Sequence, residues 1–283
     1  MYERGGMGPW LETFGVVLIA VIGVLLGIIL SGLKKPYWIA GFSIPLLIIA
    51  ILAAARFSQT LYFIGPVFWL VSGRFRFVAL SFAISSGLAL PLSRLPHKWE
   101  KYAAGGLMVL FLTWSSILPF IFPALIRGRL SEIKTRFDKN GICRQTTEYT
   151  CGPAAAVTAL GRLGLSADEG EIAILSHTTP VTGTLPTQLC SALQSRFGAN
   201  GLKCQFRRFD SIKQLKDAGV TLALIKETAM VDHCVVVLEV GDNTVAVADP
   251  VTGKELIPYE QFEKIWRFSG IVMELDFPQG HTL

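Results

Sequence analysis

The sequence predicts an N-terminal α-helical transmembrane region followed by an α+β domain. Three observations lead there. Hydrophobic residues make up 51% of the 283 residues and charged residues 17%, against roughly 25% charged in ordinary soluble domains. The charge deficit falls before about residue 126, where long apolar runs follow one another. After Arg127 the charge returns, and short helix and strand patterns replace the runs. A chain of this length accommodates two domains. The expected division is a transmembrane region at 1–126, a juxtamembrane linker at 127–141 and a second domain at 142–283.

Apolar runs cover Phe14–Leu33, Tyr37–Ala55, Leu61–Val71, Phe77–Leu92 and Ala103–Ile126. Crossing ~30 Å of hydrocarbon takes about 20 helical residues. The first, second and fifth runs are long enough, and the fourth is slightly short. The third is shorter still and holds Gly65-Pro66, so four or five spans are expected. The first run is too long for a cleavable signal peptide, and Lys34-Lys35-Pro36 and a second run follow it. No Asp, Glu or His interrupts a run, which favours an anchor over a transport path. Pro45, Pro66, Pro119 and Pro123 read as tolerated kinks.

The formal net charge is +5. Many of the basic residues flank apolar runs: Lys34, Lys35, Arg74, Arg76, Lys98, Lys101, Arg127 and Arg129. That placement serves membrane topology rather than nucleic-acid binding. With five spans, Lys34, Lys35, Arg74, Arg76, Arg127, Arg129, Lys134 and Arg136 share the side of the C-terminal domain. With four, Arg4, Arg56, Arg74, Arg76, Arg127, Arg129, Lys134 and Arg136 share it. Either count gives that domain the basic majority. It is therefore expected to face the cytoplasm, from a multi-pass position in the inner membrane.

The C-terminal half has helix patterns over Ala154–Leu163, from a Ser166-Ala167-Asp168-Glu169 capping box to near Leu175, and over Thr184–Phe197 closed by Gly198. Strand patterns follow at Leu202–Arg207, Val220–Lys226, Cys234–Val240, Thr244–Ala248 and Ile271–Leu275. Arg127–Asn140 reads as a charged linker or short helix. About 150 residues suffice for a core.

Five cysteines occur, Cys143, Cys151, Cys190, Cys204 and Cys234, with no C-x-x-C pair. An odd number without that spacing argues against a disulfide framework or a structural zinc site. Four of them read as small buried hydrophobes. Cys151 differs through its neighbours. Gly152 lets the chain turn, and Pro153 suits a first helical turn, where its missing N–H costs nothing. Cys151 is thus expected at a helix entrance, where exposed N–H groups and the positive dipole end favour a thiolate.

A thiolate nucleophile needs a base. There are four histidines. His97 lies in a loop between membrane runs, His177 in a loop after a helix, and His281 at the C-terminus. His233 opens the strand run Val235-Val236-Val237-Leu238. Asp249 closes the next strand pattern, after the turn Gly241-Asp242-Asn243. A hairpin would put His233 and Asp249 at the same end, where the carboxylate can orient the imidazole. Taken singly, a histidine at a strand start is packed or solvated, and an Asp-Pro at a strand end is a turn. The helix-entrance cysteine is what favours a triad.

Gln145 through Ala156, His233 with its valine run, and Asp249-Pro250 sixteen residues later closely resemble the bacteriocin-processing, double-glycine leader peptidases. Gly183-Thr184-Leu185-Pro186 and Tyr259-Glu260-Gln261-Phe262 with Trp266 carry the likeness further. It covers about Ile142 to Leu275. The resemblance implies a papain-like cysteine peptidase fold with Cys151 as nucleophile, His233 as base and Asp249 as its orienting partner. It implies Gln145, six residues before the cysteine, as the oxyanion-hole side chain. It also implies cleavage after a Gly-Gly-type leader of an exported peptide, without a cofactor. Thr150 stands where many members have Asp, and tuning of the site rather than its loss is expected. Members are often fused to ABC exporters. No P-loop follows here, so the exporter is expected as a separate partner, with the lipid bilayer and the leader peptide as the others. Alternatives are a non-catalytic leader-binding module beside an exporter and another papain-like amidase. A transporter regulated by its soluble half fits least.

Overall fold

The structure is a computed structural model and describes residues 8–276. Arg4 and His281 lie outside the described residues. The chain divides into two compact units between Leu125 and Ile126.

In the N-terminal unit, α1 covers Gly8–Ser31, α2 Tyr37–Ala40, α3 Ser43–Phe57, α4 Gln59–Tyr62 and α5 Gly65–Val71. Then come α6 (Phe75–Leu92), α7 (Lys98–Leu112), a π-turn at Thr113–Ile117 and α8 (Leu118–Leu125). Among the described residues four stretches are long and apolar enough to cross a membrane: Leu11–Ser31, Tyr37–Phe57, Phe75–Leu92 and Lys98–Leu125. The third apolar run is broken into the short α4 and α5, because Gly65-Pro66 starts a new helix there. Pro45 sits in the first turn of α3, so it and Pro66 open helices instead of kinking them. Pro119 and Pro123 follow the π-turn, which loosens the hydrogen-bond ladder where proline cannot donate.

Helices α1 and α6 pack in parallel. Glu12, ahead of the first apolar run, pairs with Arg74 at the start of α6. Gly23 lies against Ser85, and a Cβ on Gly27 would stand 2.6 Å from the Ala89 Cβ. At the far end Ser31 meets Ser93, and the Arg94 guanidinium donates to the Ser31 carbonyl at 2.7 Å. The Glu12–Arg74, Gly23–Ser85, Gly27–Ala89 and Ser31–Ser93 pairs share one sequence offset, 62, as parallel helices require. Small residues let the two backbones approach closely.

The C-terminal unit opens with α9 (Arg127–Ser131), β1 (Arg136–Phe137) and β2 (Cys143–Arg144). Three helices follow: α10 (Cys151–Arg162), α11 (Glu169–Leu175) and α12 (Pro186–Phe197). The rest is β3 (Leu202–Arg208), α13 (Ile212–Lys216), β4 (Val220–Lys226), β5 (Asp232–Val240), β6 (Thr244–Asp249), β7 (Gly253–Pro258), α14 (Tyr259–Ile265) and β8 (Trp266–Leu275). The main sheet is antiparallel throughout, in the order β3-β8-β4-β5-β6-β7.

Both faces of that sheet are buried, which explains the unbroken apolar run of β5. Leu222, Val236, Ile271 and Met273 point to one face and pack with Ala155, Leu160, Leu189 and Leu193 of α10 and α12. Ala223, Val235, Val237, Val247 and Val272 point to the other, with Phe209, Ile212, Phe262 and Trp266. Alternation along each strand assigns the faces. Truncating one buried leucine here to alanine would cost ~2–5 kcal/mol.

One expectation needs correction. Ser166 does not cap α11. Asp168 is its N-cap residue, and Glu169 turns inward instead of closing a capping box. Gly198 closes α12 as expected; it is right-handed (φ −58) and leads a 3-10 turn, and the left-handed residue is Gly201 (φ 86).

Candidate active site

Cys151 is the first residue of α10. The sequence folds this way because Pro153 is pre-set for a first turn and the alanines behind it favour helix. All of Gly152 through Leu160 is buried, so the helix is pinned along its length while Cys151 stays partly exposed at its mouth. Gly152 sits in close quarters: an added Cβ would lie 3.0 Å from the Thr184 Cβ, so the threonine would have to shift. Thr184 belongs to a hydroxyl network with Thr178 (2.7 Å), which in turn meets Ser176 (3.1 Å). This loop crowds the entrance of α10.

Strand β5 carries His233 and β6 carries Asp249. The strands pair antiparallel with Val236 opposite Ala248, so His233 and Asp249 fall at the same end of the hairpin. His233 Nε2 lies 2.9 Å from Asp249 Oδ1. The same oxygen accepts the Val251 N–H at 2.6 Å and the Thr252 N–H at 3.3 Å, so the turn after β6 fixes the carboxylate. The Cys151 thiol acts on the same imidazole and, with Asp249, favours its protonated form.

Electrostatics follow from this row. Burial alone would lower the imidazole pKa, but the hydrogen bonds and charges of Asp249 and Cys151 outweigh it and push it up to about 10. Burial would raise the Asp249 carboxyl, but His233 and the Val251 and Thr252 N–H groups hold it below its ordinary value. The stability due to His233 is fully present below its ordinary value of 6.5 and is lost as pH rises through about 10. That due to Asp249 is present above 3.8 and is lost as pH falls through its depressed folded value.

Gln145 is tied to this row from two sides. Its backbone N–H donates to the Pro250 carbonyl at 3.1 Å, and Nε2 donates to the Thr147 carbonyl at 3.0 Å. The second hydrogen on Nε2 remains for another acceptor. Gln145 lines a cavity of about 360 Å³ with Arg144, Thr146, Thr147, Glu148, Pro250 and Val251. Thr150 is fully buried. Its hydroxyl donates to the Thr147 carbonyl and accepts from the Thr147 N–H, both at 3.1 Å, closing the turn before Cys151. A neutral residue thus holds the turn before Cys151.

His97 precedes α7 in the other unit, and His177 ends α11 in the left-handed region (φ 52). Cys143 and Cys234 are buried. Burial and the Glu169 charge push the Cys143 thiol up to about 12, and burial first, then the charges of Cys151 and Asp249, push Cys234 well up. Cys190 and Cys204 are only partly buried, and each influences the other's thiol, a pairing their spacing did not suggest. Sequence reading also missed Glu169, whose carboxylate accepts from Thr146 beside Gln145. The two are far apart in sequence, and no local signal links them.

An antiparallel sheet carrying an imidazole, packed on a helix whose mouth carries a thiol, defines a papain-like cysteine peptidase fold. Residues 139–277 match the model of the Peptidase C39 family. An uncharacterized protein of Methanothermobacter marburgensis is 30% identical over 143 residues, 50% of this chain and 94% of that protein. A second, from Methanothermobacter thermautotrophicus, is 28% identical over 137 residues, 48% of this chain and 89% of that protein. The peptidase domain of Streptococcus ComA, a bi-functional ABC transporter, aligns with 20% identity and a TM-score of 0.41, over 47% of this chain and 96% of that one. The chain belongs to the Peptidase C39 family and is a cysteine-type peptidase.

Proposed function

We propose that this chain is a membrane-anchored endopeptidase that cleaves an exported peptide after a Gly-Gly-type leader. The observation that carries this reading is the 2.9 Å contact of His233 Nε2 with Asp249 Oδ1, supported by the influence of the Cys151 thiol, at the mouth of α10, on the same imidazole. Cys151 sulfur attacks the scissile carbonyl. The Cys151 N–H and the free hydrogen of Gln145 Nε2 receive the developing oxyanion. His233 gives its proton to the leaving amine, and Asp249 keeps the ring aimed. Water, deprotonated by His233, then releases the acyl group and regenerates the thiol. The small-residue preference draws support from the family resemblance and from the tight approach of Thr184 to Gly152.

Membrane anchoring rests on the four long apolar helices. Successive spans alternate in direction, so parallel neighbours are separated by an odd number of crossings. The parallel contact of α1 and α6 therefore favours four spans, with α4 and α5 not crossing. Four spans put the N-terminus and the peptidase domain on one side, the side with the basic majority, and we assign it to the cytoplasm. Protease added to inverted inner-membrane vesicles is expected to digest residues 127–283. A shielded domain would overturn the assignment.

The substrate reading is tested by incubating the purified full chain with leader peptides and reading products by mass spectrometry. Cleavage is expected directly after Gly-Gly. Valine at either glycine is expected to lower kcat/KM by roughly 10–200-fold. Tight binding of the leader without cleavage would favour the binding-module alternative.

A further inference from the structure

We propose that Glu169 is a positioning residue for the oxyanion side of the site, acting through Thr146 on Gln145. The proposal rests on the reading of Gln145 as an oxyanion donor. Glu169 is fully buried at the start of α11. Both of its carboxylate oxygens are used on one residue: Oε1 accepts the Thr146 N–H at 2.8 Å, and Oε2 accepts the Thr146 hydroxyl at 2.7 Å. That N–H belongs to the peptide unit joining Gln145 to Thr146. Two bonds from a single carboxylate fix the position of this peptide plane and the direction of the side chain after it. Gln145 is then held between Glu169 on one side and the Pro250 carbonyl on the other, with Asp249 next in the chain.

Glu169 is itself held in place. Its own N–H donates to the Thr135 hydroxyl at 2.9 Å, and that hydroxyl donates to Asp168 at 3.0 Å. The next residue, Gly170, lies so close to the Leu130 carbonyl that no side chain fits between them. A chain of contacts therefore runs from the juxtamembrane residues 130–135, through Glu169 and Thr146, to Gln145. A buried acid spent on a single loop residue is more than α11 needs for its own stability. Precise placement of an oxyanion donor gives it a use, since displacement by about 1 Å can cost ~100-fold in rate.

The test is a double-mutant cycle on the full chain, with kcat and KM measured on a cleavable leader peptide and thermal unfolding recorded alongside. Glu169→Ala is expected to lower kcat by roughly 10–100-fold with KM within about twofold. Glu169→Gln is expected to recover most of it, because the amide oxygen can take the Thr146 N–H while the Thr146 hydroxyl reverses to accept. In a Gln145→Ala background, Glu169→Ala is expected to cost little more than Gln145→Ala alone. Full additivity of the two losses would overturn the proposal, as would a lowered unfolding temperature with unchanged kcat. A wild-type kcat in Gln145→Ala alone would instead overturn the oxyanion reading, and the positioning role with it. If Glu169→Ala does not fold, Thr146→Val replaces it in the cycle. It keeps the N–H bond and is expected to show a smaller fall in kcat that disappears in Gln145→Ala; persistence of that fall would overturn the proposal.

Discussion

Cys151→Ala is expected to lower kcat/KM for a cleavable leader peptide by ~10⁴-fold or more, with peptide affinity unchanged. The substitution removes one sulfur from a partly exposed helix mouth and leaves the buried face of α10 intact. The unfolding temperature should therefore move little. Oxygen is a poor replacement, because a serine hydroxyl beside an imidazole placed for sulfur does not ionise readily, and Cys151→Ser is expected to be nearly as inactive. Steady-state kinetics with a fluorogenic leader peptide, paired with a binding measurement, separates the two effects. Equal losses of rate and affinity would mean that Cys151 shapes the binding surface instead of attacking the bond.

His233→Ala is expected to cost ~10²–10⁴-fold in kcat/KM, the span for loss of a general acid–base. The more diagnostic result lies in pH. The active pair needs a protonated imidazole, and His233 keeps its proton until about pH 10. The alkaline limb of kcat/KM should lie near that value. In Asp249→Asn the carboxylate that raises the imidazole is gone, while the burial that lowers it remains. The alkaline limb should then move to lower pH. A limb that stays in place would show that Asp249 does not govern the proton on His233.

Much of this site was legible in the sequence because its chemistry sits at element boundaries. Pro153 after Cys151 marks a helix entrance, and Gly241-Asp242-Asn243 marks the turn that brings His233 and Asp249 to one end of a hairpin. Local rules govern both features. The strands β3, β4, β5 and β6 were legible from their apolar runs. Strand β7 was not, because Gly253-Lys254-Glu255-Leu256-Ile257-Pro258 at a sheet edge has no apolar alternation and is bounded by Gly and Pro. The first part of β8 was hidden by Ser269-Gly270 and by Phe268, which adopts a left-handed backbone (φ 50). Glu169 illustrates the limit: its spacing from Ser166 fits a capping box, but a tertiary contact with Thr146 decided its orientation. The parallel packing of α1 on α6 likewise depends on the fold and not on either run alone.

The central claim is that Cys151 is the sulfur that forms the acyl-enzyme. It is tested most directly by a leader peptide ending in a Gly-Gly chloromethyl ketone, incubated with the full chain and mapped by peptide mass spectrometry. The account predicts a single adduct, on Cys151, formed in step with loss of activity and slowed in His233→Ala. An adduct on Cys143, Cys190, Cys204 or Cys234 that abolishes activity, with Cys151 unmodified, would contradict it.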